Sequence, residues 1–334
     1  MRVGIVGAGL IGGKRAHALH RLPDKIQSVA EIDQERRISF SEKFGCNDYI
    51  SWEEMFEKED LDIVIVSTPN KFLAPVVLMA AEKGIHVLCE KPLGRNPKES
   101  LAMFDACSKA GVFLKTGFNH RHHPALWKAH EFFAGGEIGK LYFLRARYGH
   151  GGRPGYDKEW RGDPDMAGGG ELLDQGVHIV DLFRWFAGDF SKGFGYASRY
   201  FWDIDPLEDN GFALFKTQSG VVAEMHTSWT NWKNIFSFEI FGEKGYLSID
   251  GLGGSYGKET LTFGRRRLES GPPIIETFEF DEPDRSWMEE WREFRTAIQE
   301  GRQPMANGWD GYRAVQMVYA IYESNRTGKM VKIK

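Results

Sequence analysis

The chain has 334 residues, 42% apolar and 27% charged, with a formal net charge of −4. That length suggests two globular domains of full core size. The longest apolar runs, such as "LDIVIVSTP", fall far short of the ~20 residues of a membrane helix, and the densest basic cluster, "GRRRLES" from 264, suits a solvated loop or strand end better than a nucleic-acid stripe.

The chain opens on "RVGIV", a short β-branched run leading into glycines, with no leader segment ahead of it. "LIGGKRAHALHRL" has helical spacing, "IQSVAEID" is a second strand, and "QERRISFSEKFG" is a helix stopped at Gly45. Ser51 and Glu54 form a capping box ahead of a short helix, "SWEEMFEKED". "LDIVIVS" is a third strand and "FLAPVVLMAAEKG" a helix stopped at Gly84. "IHVLCE" is the fourth strand, "NPKESLAMFDACSKAG" a helix stopped at Gly111, and "VFLKTGF" the fifth strand. Strands alternating with helices imply crossover connections and a parallel sheet covered on both faces.

The pattern changes near residue 120. A helix at "PALWKAHEFF" leads into the strand "KLYFLRARY", and another helix carries "GELLDQGVHIVDLF". Then come "GFALFKT", "GVVAEMHTSW", "IFSFEIFG", "GYLSID", "ETLTFG" and "IIETFEF", consecutive strands with short turns, the mark of a mainly antiparallel sheet. Two helices close the chain. Ser286 and Glu289 cap the first, whose apolar face is Trp287, Trp291, Phe294 and Ile298; Val315, Val318, Tyr319 and Tyr322 line the second. The expected division is residues 1–120 and 121–334. Cys46, Cys89 and Cys107 lie far apart without metal spacing and fit reduced thiols in a cytoplasmic protein.

"GIVGAGLIGG" sets Gly7, Gly9 and Gly12 in G-x-G-x-x-G spacing, with Leu10 and Ile11 opening the helix. Gly7 allows a tight turn, Gly9 lets backbone approach a pyrophosphate, and Gly12 allows close helix–strand packing. The phosphates then meet unpaired amides at a positive dipole end. Glu31, 19 residues after Gly12, and Asp33 supply carboxylates for the adenosine ribose. They favour NAD over NADP, unless Arg36 or Arg37 points back at the ribose. Thr68, Pro69 and Asn70 follow the third strand and border the cofactor. Asn119, after the fifth, lies toward the nicotinamide.

"VLCEKPLG" ends a strand with Glu90, Lys91 and Pro92. Open parallel sheets bind ligands beyond the carboxyl ends of their strands, which puts Glu90 and Lys91 near the cofactor. A lysine there can bind a substrate hydroxyl and stabilise charge developing on oxygen; a solvated lysine before a proline turn is the alternative.

"GAGLIG", "STPN", "EKPLG", "GGGELLDQGVHIVDLFRWFAG" and "YESNRTGKMVKI" occur in that order. With them the chain resembles the glucose–fructose oxidoreductase / inositol dehydrogenase family (Gfo/Idh/MocA), nearly end to end. The resemblance implies an α/β fold: an N-terminal Rossmann dinucleotide-binding domain plus a C-terminal α+β domain with a large, mainly antiparallel open sheet. It implies NAD(P)-dependent oxidation or reduction of sugars, cyclitols and related molecules. The family's catalytic lysine, aspartate and histidine map to Lys91, Asp174 and His178. In the family the sheet often joins subunits, which implies a homo-dimer or homo-tetramer here.

Residues four apart share one side of a helix, with Cβ atoms about 5–6 Å apart. Asp174 and His178 can therefore present an acid and a base to one substrate. His178 is the expected general base in oxidation, Lys91 steadies the alkoxide, and Asp174 binds a neighbouring hydroxyl or orients one of the other two. Asp181, on the same face, is structural.

Other residues carry two readings. Arg121 contacts substrate or cofactor, or is a solvated loop arginine. The histidines His120, His122 and His123 lack a spaced carboxylate or cysteine partner, so no metal is expected. Tyr156, Trp160 and Arg161, after a glycine-rich loop, suit a sugar ring with polar substituents and equally suit ordinary packing. Asn231 and Trp232 read as sheet-face or interface residues. The expected partner is a small polyol or sugar, with no nucleic acid and no membrane. Two other functions fit the same residues: a non-catalytic dinucleotide-binding sensor, and a reductase of a keto-sugar nucleotide.

Overall fold

The computed structural model describes residues 1–20 and 22–334. Packing divides the chain into two compact units. The first comprises residues 1–118, 165–168 and 287–315; the second comprises 119–164, 169–286 and 316–334.

The first unit alternates strand and helix as the sequence implies: β1 (Arg2–Val6), α1 (Leu10–His20), β2 (Lys25–Ala30), α2 (Gln34–Phe44), β3 (Asn47–Tyr49), α3 (Trp52–Lys58), β4 (Ile63–Val66), α4 (Leu73–Glu82), β5 (His86–Cys89), α5 (Pro97–Ala110) and β6 (Leu114–Thr116). Arg21, inside the expected first helix, lies outside the described residues. The six strands form one parallel sheet in the order β3-β2-β1-β4-β5-β6, the doubly wound arrangement whose crevice opens where the order reverses.

Local chemistry fixes the ends of these helices. Ser51 accepts from Glu54 N and caps α3, and Asn96 accepts from Glu99 N and caps α5. Gly45 and Gly111 end α2 and α5 in the left-handed conformation, at φ 63° and 72°. The alternation of "IVIV" in β4 builds both faces of the sheet. Val64 and Val66 pack with α3, α4 and α5 residues such as Phe56, Val77 and Met103. Ile63 and Ile65 pack with Ala16 and Leu19 of α1, Phe40 of α2, and Trp291 and Phe294.

That last pair departs from a linear division at residue 120. Trp291 and Phe294 lie on α9 (Ser286–Glu300), and both are fully buried. They fill the sheet face beside α1, and Trp291 Nε1 donates to Asp24 Oδ2 at 2.9 Å. The apolar stripe of α9 is plain in the sequence, but its destination is set by contacts some 270 residues away.

The second unit is built on α6 (Pro124–Ala134), β7 (Leu141–Gly149), α8 (Val177–Ala187), β8 (Phe190–Ser198), β9 (Asn210–Thr217), β10 (Val222–Ser228), β11 (Ile235–Gly242), β12 (Gly245–Asp250), β13 (Glu259–Arg265), β14 (Ile274–Phe280) and β15 (Val331–Lys332), while the short α7 (Pro164–Ala167) falls, but for Pro164, in the first unit. Its nine strands run β14-β13-β12-β11-β7-β10-β9-β8-β15. Only the β7–β10 pair is parallel, so the sheet is mixed and mostly antiparallel. Helix α10 (Gly308–Thr327) closes the chain ahead of β15.

From Gly211 on, burial along β9 alternates, so one sheet face is covered and the other is open. The open face carries Tyr196, Phe212, Leu214 and Phe143, all exposed. It also carries a cross-strand row of Glu224, Arg145 and Glu239, with Arg145 Nε 3.1 Å from Glu239.

Three strands escape the sequence reading: β3, β8 and the two-residue β15. β3 has three residues, and β8 reads "FSKGFGYAS", where Gly193 and Gly195 replace the inward apolar residues because Phe215 and Ile321 press against them. The helix at 171–187 is also not uniform: Leu172–Gly176 is a π turn running into α8. Such wide turns cluster at functional sites.

Candidate active site

The dinucleotide residues belong to the first unit. Gly7 has φ 94°, and a Cβ there would lie 2.7 Å from Ser67 O, so only glycine fits the turn. A Cβ on Gly12 would strike the Gly7 carbonyl and lie 2.9 Å from Ser67 Oγ. On Gly9 it would meet no protein atom within 4 Å, which leaves that backbone open to a ligand at the start of α1. Leu10 and Ile11 begin the helix there, Leu10 exposed.

Glu31 closes the loop from the end of β2. It is buried, and its carboxylate accepts from Ala8 N at 2.8 Å and Asp33 N at 3.0 Å. A carboxylate has about four acceptor positions, so two remain for ribose hydroxyls. Asp33 caps α2, accepting from Arg36 N at 2.9 Å, and that bond holds its carboxyl below the usual range. Arg37 is engaged elsewhere: Nη1 donates to the Glu31 carbonyl and Nε to Asp48, at 3.1 and 2.9 Å. Arg36 is half exposed, its Nη2 3.7 Å from Glu31 and 3.5 Å from Asp33.

Thr68 Oγ1 is buried and has no hydrogen-bond partner among the described residues, which suits a donor or acceptor on a cofactor. Pro69 precedes the short 3-10 turn Asn70–Phe72. Asn70 itself is buried and donates to Ala167 O at 2.8 Å, tying down residues 165–168.

Glu90 is buried and paired inside the first unit. Arg15 of α1 donates from Nε to its carboxylate at 2.7 Å and also pairs with Glu290 of α9, all three groups buried. This network locks the carboxyl end of β5, and Lys91 follows it at once. Neither Arg15 nor Glu290 is near Glu90 in sequence, so the pairing is illegible there.

Asp174 and His178 belong to the second unit. Asp174 lies in the π turn and His178 in the first turn of α8; both are buried. Arg161 Nε stands 3.4 Å from Asp174 Oδ2, and the Arg161 guanidinium lies 4.5 Å from the Trp160 ring. Burial opposes the Arg161 charge, but Asp174, Tyr156 and Glu159 outweigh it and hold the group above its ordinary value. Tyr156 is buried edge-on against Trp229 at 5.0 Å, and desolvation pushes its hydroxyl far up. So Asp174, Arg161, Trp160 and Tyr156 come together, an arginine and a carboxylate beside aromatic rings.

Arg121 has a different setting. Its Nε and Nη2 make a buried bidentate pair with Asp181 at 2.8 and 2.5 Å, which makes it a brace between residues 119–122 and α8. Asn119 donates from Nδ2 to Ser286 Oγ at 2.9 Å.

The sequence reading did not single out Glu208. Its carboxylate accepts from Gly170 N at 3.1 Å, Leu172 N at 2.9 Å and Tyr322 Oη at 2.8 Å, at the amino end of the helix bearing Asp174 and His178. Burial lifts its carboxyl to about 7 despite those donors. The signal in the sequence is "GGG" at 168–170: a Cβ on Gly170 would strike the Glu208 backbone, and one on Gly169 would lie 2.5 Å from Tyr322 Oη.

A doubly wound sheet with this glycine cradle defines a dinucleotide-binding oxidoreductase scaffold. Residues 1–118 match the NAD-binding Rossmann fold of the GFO/IDH/MocA oxidoreductase family, and residues 126–248 match its C-terminal domain. The chain belongs to that family. It is 32% identical to levoglucosan dehydrogenase of Pseudarthrobacter phenanthrenivorans over 66% of this chain and 59% of that one. It is 28% identical to an NADP(+)-dependent D-xylose 1-dehydrogenase of Haloferax volcanii over the whole of both chains. A levoglucosan dehydrogenase solved with NADH and L-sorbose shares the fold at a TM-score of 0.89, with 24% identity, covering 100% of this chain and 99% of that chain. Among the described residues no helix is long and apolar enough to cross a membrane.

Proposed function

We propose that this protein moves hydride between a nicotinamide dinucleotide and a secondary alcohol or ketone of a sugar, sugar derivative or cyclitol. This reading is carried by an open glycine cradle in the first unit and, in the second, a buried aspartate and histidine on one π-to-α turn, in a chain of this family.

Gly9, in a loop shaped by Gly7 and Gly12, admits the pyrophosphate to the start of α1, Glu31 holds the ribose hydroxyls, and Thr68 an edge of the cofactor. Glu31 and Asp33 would repel a 2′-phosphate, but Arg36 Nη2, 3.7 and 3.5 Å from them, would attract one, so this end of the site accommodates NAD or NADP. The bound dinucleotide supplies the hydride acceptor or donor. In oxidation His178 takes the hydroxyl proton, Lys91 steadies the developing oxyanion, and Asp174 with Arg161 binds a neighbouring hydroxyl. Reduction reverses these roles. Trp160 offers a ring to the sugar, and the buried Tyr156 packs behind the site. The exposed apolar face of the large sheet, with its alternating Glu224–Arg145–Glu239 row, suits a second copy of the chain in a cytoplasmic homo-oligomer.

The test is NADH formation with a panel of sugars and cyclitols. His178→Ala should lower turnover by roughly 10²–10⁴-fold while leaving the NADH dissociation constant within twofold. Unchanged turnover removes His178 as the base.

A further inference from the structure

His120 is a buried imidazole to which the proposed chemistry gives no task. It sits in the 3-10 turn Asn119–His122, and its ring lies flat on the His178 ring, with centroids 3.8 Å apart and planes 18° from parallel. The two rings are 5% and 4% exposed, so the stack is fully enclosed. Tyr148 of β7 and Phe236 of β11 pack edge-on against His120 at 5.3 and 5.9 Å, and His123 at 5.7 Å.

His120 is itself pinned. Asn119 donates from Nδ2 to Ser286 Oγ, which turns its Oδ1 toward His120 Nδ1, 3.3 Å away. An amide oxygen only accepts, so Nδ1 of His120 carries the hydrogen in this arrangement. A histidine ring rotates broadly about its outer torsion, and only its neighbours fix its plane. A proton is taken through a lone pair in that plane. A stack acts on the face of the His178 ring and so fixes its plane.

We propose that His120 is a positioning residue for His178, holding the ring plane of the base at the angle needed for proton transfer. This rests on His178 being the base. Loss of the stack lowers the population of productive ring orientations without touching the cofactor cradle or the Asp174–Arg161 pair.

The experiment compares His120→Ala with His120→Phe in the full chain, alongside wild type. With a turned-over polyol, His120→Ala should lose roughly three- to tenfold in kcat, with KM and the NADH dissociation constant within twofold. His120→Phe, which restores a flat aromatic face, should recover most of that loss. Wild-type kcat in His120→Ala overturns the proposal. So does a loss confined to KM or to NADH binding, or a folded His120→Phe no better than the alanine variant. A second measurement is independent of turnover. In histidine-labelled protein, the His178 Cε1 proton should carry an upfield ring-current shift that His120→Ala removes and His120→Phe keeps. An unchanged shift in His120→Ala shows that the rings do not stack. If the shift behaves as expected and no polyol is oxidised, the stack stands and the assignment of His178 as base is what fails.

Discussion

Gly9→Ala separates a glycine kept for a ligand from one kept for the fold. A Cβ at Gly9 meets nothing within 4 Å, and its φ is not in the left-handed region, so alanine enters without a clash. Gly9 accepts from Gly13 N at 2.9 Å and stands at the cap position of α1. Alanine is about 1 kcal/mol worse there, while the stiffer unfolded chain returns about 0.4–1 kcal/mol. The two nearly cancel, and the melting temperature should move by no more than about 2 °C. Cofactor binding should respond differently. A methyl group over the cradle holds the pyrophosphate off the helix amides, and one lost charge-assisted hydrogen bond, at about 1.5–3 kcal/mol, weakens binding roughly 10- to 100-fold. Gly12→Ala is the control, since its Cβ strikes the Gly7 carbonyl and should lower the melting temperature sharply. NADH fluorescence titration and thermal melts read both effects. An NADH dissociation constant unchanged in Gly9→Ala, or a melt as damaged as that of Gly12→Ala, refutes the cradle.

Asp181→Asn should cost about 3–5 kcal/mol, because it leaves the buried Arg121 guanidinium facing a neutral amide; chemical denaturation reads this, and an Arg121→Met, Asp181→Leu double variant should recover much of it. Acid should destabilise the fold through His86, His130 and His226, whose pKa values burial lowers. The folded form favours neutral rings, so their contribution is present above the unfolded value of about 6.5 and is lost as pH falls through the lower folded values. Nδ1 of His86 accepts from Phe113 N at 3.0 Å, so His86→Asn, which keeps an acceptor, should reduce the drop in melting temperature between pH 7.5 and 5.5. An identical drop in that variant removes His86 from the account.

What the sequence reveals follows the range of the forces involved. The glycine loop, the Ser51 cap and the Gly45 and Gly111 stops act within a few residues, and the structure has them as read. The six-stranded sheet follows from the same alternation, save β3, too short to show a period. The proposed site draws on residues whose type alone states a chemistry, Glu31, Asp174 and His178. It is illegible where partners come from afar. Nothing near Arg121 points to Asp181, nothing near Glu90 points to Arg15 and Glu290, and Glu208 reaches its helix from a loop that looks unremarkable. Asn70 shows the converse: its place after β4 suggests the cofactor, and its side chain instead holds Ala167. The π turn is hidden because its apolar residues fit an α period equally well.

The placement of Trp291 and Phe294 has a consequence for biosynthesis. The nucleotide-binding half emerges first from the ribosome, yet one side of its sheet and the partner of Arg15 arrive about 170 residues later. At ordinary elongation rates that gap is roughly 10–30 s. Throughout it, an apolar surface beside α1 stands uncovered, and a nascent chain stalled before residue 287 is the species on which a chaperone would be expected to act.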